Sequence, residues 1–181
     1  MTDADIKKIE RNKQLCEKFP FLVPTYYDGR PIDDYDYSYV VGFVGTPWEK
    51  IWLEFCEEIL PEYQKFSPEQ KERFFFHDTK EKYGTMRISL SFTNDAIWQA
   101  ILNAEFKSKF TCSKGGAQPR SRFGNHIIYL TKGWVQFLCK DCAKEHFKGK
   151  LPKDSCRRIT HGKKFYVNRV SDNKQVLSLQ W

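Results

Sequence analysis

The sequence predicts an α+β chain, with N-terminal helices on a small antiparallel sheet. Two kinds of evidence carry that expectation. Apolar residues recur at helical spacing in three stretches of the first 108 residues, and between the second and third lies a strict alternation over Met86, Ile88, Leu90 and Phe92. Further on, cysteines sit at two turn-like positions, Cys112 and Cys139–Cys142, separated by two short β-rich runs.

Taken in order, Asp3 to about Phe19 reads as a helix capped by Thr2 or Asp3, with Ile6, Ile9, Lys13 and Cys16 on one stripe. Pro20 and Pro24 stop it. Cys16 reads as a core thiol, because a buried cysteine behaves as a small hydrophobe. Residues 25–45 form an aromatic, acidic loop with turn signals at Asp28-Gly29 and Pro31. Asp33, Asp34 and Asp36 lack the glycine and terminal glutamate of a calcium loop. Together with Tyr26, Tyr27, Tyr35 and Tyr37 they make a candidate protein-contact surface.

Thr46-Pro47-Trp48-Glu49 is the sharpest local signal: an N-cap, a proline at the first helical position and a capping-box glutamate. Trp48, Ile51, Trp52, Phe55 and Ile59 follow on one core-facing stripe beside Cys56, and Pro61 is expected to end the helix. A short polar helix or turn spans 64–71, and two strands then meet at a Tyr83-Gly84 turn. His77 and Asp78 are neighbours on a strand and face opposite ways, which makes a catalytic pair awkward. Asn94 caps a third helix over 95–108, its buried side built from Ile97, Trp98, Ile101, Leu102 and Ala104.

Residues 110–147 then have the layout of a treble-clef or zinc-ribbon module: a tight turn at Cys112, two short strands, and a second turn at Cys139–Cys142 opening a helix. Cys139-Lys140-Asp141-Cys142 is a complete C-x-x-C knuckle, and a helix N-terminus there is expected to favour thiolates. Cys112 adds a third sulfur, but Gly115 stands where a second knuckle would place a fourth. His146, one helical turn beyond Cys142, is the first candidate for that place, with His126, Cys156 and His161 behind it. Two readings follow, a structural Zn²⁺ on Cys112, Cys139, Cys142 and His146, or a metal-free relic of the same fold.

Lys80–Arg87 (KEKYGTMR) and Gly133–Ala143 (GWVQFLCKDCA), with the opening Asn12–Leu22 and the Pro47-Trp48 helix start, resemble a family of small, largely uncharacterised proteins of phages and bacteria. The similarity covers roughly residues 12–147. It implies origin and fold more than activity, and the chain departs from the family pattern at Gly115.

Charge is polarised along the chain. Residues 1–60 carry 7 Lys/Arg against 12 Asp/Glu, and the remainder 23 against 11. A basic extension, 148–181, follows the module and includes a hairpin expected from Lys164–Val170 and Gln175–Leu179 around Asp172-Asn173. Three regions result: a helical and β-hairpin core at 1–110, the module at 111–147 and the extension at 148–181. Lys114, Arg120, Arg122, Lys153, Arg157, Arg158, Lys163, Lys164 and Arg169 are the candidate phosphate contacts.

No apolar run is long enough to span a membrane, and the polar, acidic start is no secretory signal. Six cysteines without such a signal read as thiols or metal ligands in a reducing compartment, the cytoplasm of a bacterial host. There is no phosphate-cradling glycine loop and no G-x-S-x-G. A cysteine nucleophile with His126 or His146 as base, or a metal-assisted nuclease using His126, lacks a full set of partners. The sequence thus points to a non-catalytic phage accessory protein that binds nucleic acid or a nucleoprotein through its basic C-terminal half. The alternative is an anti-CRISPR-like inhibitor directed at a host enzyme or defence complex.

Overall fold

A computed structural model describes residues 1–30, 32, 42–119, 127–131, 134–149, 156–161, 164–168 and 175–177; for Ile127 and from 156 onward it describes the backbone path alone. The chain is α+β. Its elements are α1 (Asp3–Lys18), a 3₁₀ turn (Pro20–Leu22), α2 (Glu49–Gln64), α3 (Pro68–Arg73), β1 (Phe76–Lys82), β2 (Thr85–Leu90), α4 (Asp95–Ser108), β3 (Ile127–Leu130), β4 (Phe137–Leu138), α5 (Lys140–His146), β5 (Cys156–His161), β6 (Lys164–Asn168) and β7 (Gln175–Leu177). They fall into two compact units.

The first unit comprises Met1–Gly45, Glu49–Lys80 and Arg87–Ala104. The Thr2 hydroxyl accepts from Asp5 N–H and the Asp5 carboxylate accepts from Thr2 N–H, a complete capping box on α1. The inward face of α1 is Asn12 and Cys16, not the stripe read from Ile6 and Lys13, both of which are exposed. The helix lies with a polar residue against the interior, so apolar spacing alone placed its face one position off. Ion pairs from Arg11 to Glu49 and from Lys18 to Glu57 join α1 to α2 along its wet side.

The α2 stripe stands as read, with Ile51, Trp52, Phe55 and Ile59 almost fully buried and Cys56 with them. Pro61 does not end α2, which continues to Gln64. A proline in the last turn forfeits one backbone hydrogen bond, a loss the buried stripe ahead of it outweighs. Trp52 and Phe55 pack on Phe76 of β1, with ring centroids 5.1 and 6.4 Å apart, which seats the helix on the hairpin. Asn94 Oδ1 accepts the Ile97 N–H at 2.9 Å and so caps α4 as expected. Trp98 faces solvent instead of the core; Ile97, Ala100, Ile101 and Ala104 fill the buried side.

The second unit comprises Thr46–Trp48, the hairpin tip Glu81–Met86 and Glu105–Trp181. Its longest segment takes in both the expected module and the basic extension. β1 and β2 form a two-stranded antiparallel sheet, and Tyr83 (φ 53°) and Gly84 (φ 76°) supply the two left-handed residues of a type I′ turn. The larger sheet has the order β4-β3-β5-β6-β7. The expected C-terminal hairpin is present as β6 and β7, with Phe165 opposite Leu177 and Tyr166 opposite Val176. It is not a free appendage. β5 pairs antiparallel with both β3 and β6, opposing Leu130 to Cys156 and His161 to Lys164, so module and extension share one sheet.

Phe137 closes this unit against the hairpin tip. A Cβ on Gly84 would lie 2.4 Å from the Phe137 ring, so only glycine fits there, at a φ that also favours it. We expect Gly84→Ala to destabilise the protein by about 2–4 kcal/mol, combining a left-handed alanine with overpacking. Urea denaturation measures it; an unchanged midpoint would show that the hairpin tip does not bear on Phe137.

Candidate metal centre

Three short segments of the second unit place the three sulfurs. In the first, Cys112 N–H donates to the Ala117 carbonyl and Gly116 N–H to the Cys112 carbonyl, both at 2.8 Å, which curls 112–117 into a tight loop. Gly116 is left-handed (φ +68°), and a Cβ there would strike the Pro47 carbonyl oxygen at 2.6 Å. In the second, β4 delivers the chain to Cys139 immediately after Leu138. In the third, Cys139 is the N-cap of α5, and its carbonyl accepts the Ala143 N–H at 2.8 Å. Ser113 N–H donates to the Phe137 carbonyl at 2.7 Å, drawing the first segment onto the second.

The result is a cluster in which the thiols of Cys112, Cys139 and Cys142 all lie within 4.8 Å of one another. No disulfide joins them. Cys112 is fully buried, among Ile128, Phe137, Leu138 and Ala143, while Cys139 and Cys142 are half-buried. Such a group, soft donors on an apolar floor with one open side, can hold a metal ion.

The thiols are electrostatically unequal. Burial works against ionising Cys112, but the backbone N–H groups of Cys139, Gly115 and Lys114 and the Cys142 thiol outweigh it, holding Cys112 below the ordinary thiol value. Gly115 N–H is 3.3 Å from Cys112 Sγ. Cys142 moves the other way, pushed up to about 12 by burial and then by the thiols of Cys139 and Cys112. The start of α5 therefore does not acidify Cys142 as the sequence suggested. In the metal-free trio Cys142 therefore keeps its proton, which a cation would displace.

His146 does not join the cluster. It is exposed, and its ring meets Phe147 edge-on at 4.7 Å. Four residues beyond Cys142 it stands about 6 Å further along the helix axis, past the N-terminal end where the sulfurs gather. Lys114, beside the Cys112 turn, is exposed and paired with Glu145 of α5 at 2.8 Å. Arg157 and Arg158 are successive positions of β5, and Lys164 opens β6. Arg120, Arg122, Lys153, Lys163, Arg169 and His126 lie outside the described residues, as do Asp33, Asp34, Tyr35, Asp36 and Tyr37. Tyr26 and Tyr27 are exposed, and Arg30 covers the Tyr26 ring while pairing with Asp28. His77 does not pair with Asp78, which binds Lys80; its ring lies between Phe75 and Tyr27, at 4.8 and 5.5 Å.

One feature was not read from the sequence. Trp134 and Tyr83 are 76% and 71% exposed and border a groove of about 300 Å³ with Glu81, Lys82 and Val135. Lys82 Nζ stands 5.6 Å from the Tyr83 ring centroid. The available signal was an aromatic residue at the tip of each of two turns, where side chains meet solvent.

No family model, curated protein or solved structure matches the chain.

Access separates Cys139 and Cys142 from the core cysteines Cys16 and Cys56. Burial raises Cys16 to about 11 and drives Cys56 far above the thiol range. We expect Cys16 and Cys56 to resist alkylation in native, chelator-treated protein, and Cys139, half-buried at the start of α5, to react ahead of both. Mass mapping of the modified sites checks this; rapid labelling of Cys56 would contradict its place in the core.

Proposed function

We propose that the second unit is a non-catalytic nucleic-acid-binding module organised by a structural zinc ion. The exposed Trp134–Tyr83 groove beside Lys82 is the observation that carries the binding half of this reading. Unpaired bases stack on such aromatic faces, and stacking tolerates any sequence. Charge supports it: the second unit carries 18 Lys/Arg against 6 Asp/Glu, the first 12 against 17. Basic residues around an aromatic platform neutralise phosphates and draw in a polyanion. Lys114, Arg120, Arg122, Lys153, Arg157, Arg158, Lys163, Lys164 and Arg169 are the proposed phosphate contacts.

Zinc is the proposed occupant of Cys112, Cys139 and Cys142 because borderline-soft Zn²⁺ takes thiolates at two such turns and has no redox chemistry of its own to perform. Its role is to tie the Cys112 loop to the start of α5. The resemblance of Lys80–Arg87 and Gly133–Ala143 to small phage and bacterial proteins is in keeping with an accessory role in a bacterial cell.

Elemental analysis should find zinc in stoichiometric amount, removed by Cys139→Ser. Oligo(dT) binding, followed by the anisotropy of a labelled oligonucleotide, should weaken by about 1–3 kcal/mol in Trp134→Ala. It should also fall steeply with salt, about 300-fold between 50 and 200 mM if some six phosphates of the single strand are contacted. Salt-independent binding, or none, would remove the nucleic-acid reading.

A second reading rests on the exposed Tyr26 and Tyr27 of the acidic first unit. There the chain would inhibit a host enzyme or defence complex through its tyrosine-rich loop. Retention of a host protein after nuclease treatment, lost in Tyr27→Ala, would favour it.

A further inference from the structure

We infer that the metal held by Cys112, Cys139 and Cys142 has an open fourth position over Gly115, and that the ligand taken there is a thiolate from outside the chain. The inference rests on the metal centre proposed above and concerns what completes it. Four-coordinate thiolate sites close when two C-x-x-C turns face each other. Here the second turn is whole and the first ends in Gly115.

The geometry shows that the missing corner is real space. An ideal Cβ on Gly115 would stand 3.4 Å from Cys142 Sγ, ordinary van der Waals contact, with no other atom outside its immediate neighbours within 4 Å. Gly115 is exposed and its backbone is not left-handed, so neither sterics nor conformation demands glycine there. The loop is already bent around the site, since the Gly115 N–H points at Cys112 Sγ. Among the described residues no histidine or carboxylate joins the three sulfurs.

Glycine at this corner leaves a door the width of one side chain, opening from solvent onto the ion. Three thiolates make a bound divalent ion soft, and a fourth sulfur suits it better than water. In the exchange the arriving thiol gives its proton to solvent, a metal–sulfur bond forms and the bound water leaves. The same chemistry is available to a low-molecular-weight thiol and to a cysteine of a second copy of this chain.

Cobalt(II) reports the sulfur count through its charge-transfer and visible bands. Cobalt-loaded wild-type protein and Gly115→Cys are titrated with 2-mercaptoethanol, with sedimentation run in parallel. The expected result is a sulfur-to-cobalt band that grows with added thiol in wild type and is already full and unresponsive in Gly115→Cys. A metal-dependent dimer with a four-sulfur spectrum that is lost on dilution also supports the inference and names the second copy as the source. A wild-type monomer whose spectrum ignores added thiol overturns it, because the chain then supplies its own fourth ligand. Failure of both proteins to take up cobalt overturns the metal centre itself, a distinct outcome.

Discussion

The hydrogen bond from Ser113 N–H to the Phe137 carbonyl is the constraint on which the cysteine region turns. It is made one residue after Cys112 and two before Cys139, so it sets the spacing between the two cysteine segments before any cation arrives. Phe137 is held in turn by the apolar floor of Ile128, Leu138 and Ala143. Its ring also occupies the space that a side chain on Gly84 would need. Convergence of the sulfurs is thus a product of β-pairing and core packing. A cation would find the thiols gathered, and its binding free energy would go into holding them together against their mutual repulsion.

The division of charge follows the division of the fold. The first unit is built on an interlocked aromatic core, in which Trp52, Phe55, Phe74, Phe76 and Phe21 meet at tilted and edge-on angles. Its surplus charge is acidic. Among the described residues the second unit has the smaller buried core, and it carries most of the basic residues. A small core under a strongly charged surface is where a metal cross-link has most to contribute, because like charges repel across a unit with little apolar area to oppose them.

Much of this was legible where local chemistry and packing agree. The α2 stripe, the Asn94 cap, the Tyr83-Gly84 turn and the two cysteine turns could be read directly, because each is settled by near neighbours. Four features were not. Asn12 displaced the expected face of α1, since a polar residue there faces the core. Pro61 was passed through by a helix whose buried stripe precedes it. Trp98, an aromatic at helical spacing, faces water. β5 was missed although His161-Gly162-Lys163-Lys164 carries a two-residue hairpin signature, because its partner β3 lies 26 residues or more upstream and long-range pairing leaves no local mark. For the site, three of four proposed ligands converge. His146 does not, because helical spacing gives the direction of a side chain but not what its ring prefers to pack on.

Three is an odd number, and that matters for a cluster with no disulfide. If the ion is lost in air, any two of the sulfurs can oxidise to each other, and the third then has no partner within the cluster. That leftover thiol would seek a mate on another molecule, so demetallation leads toward covalent clumping instead of a quiet, closed apo form.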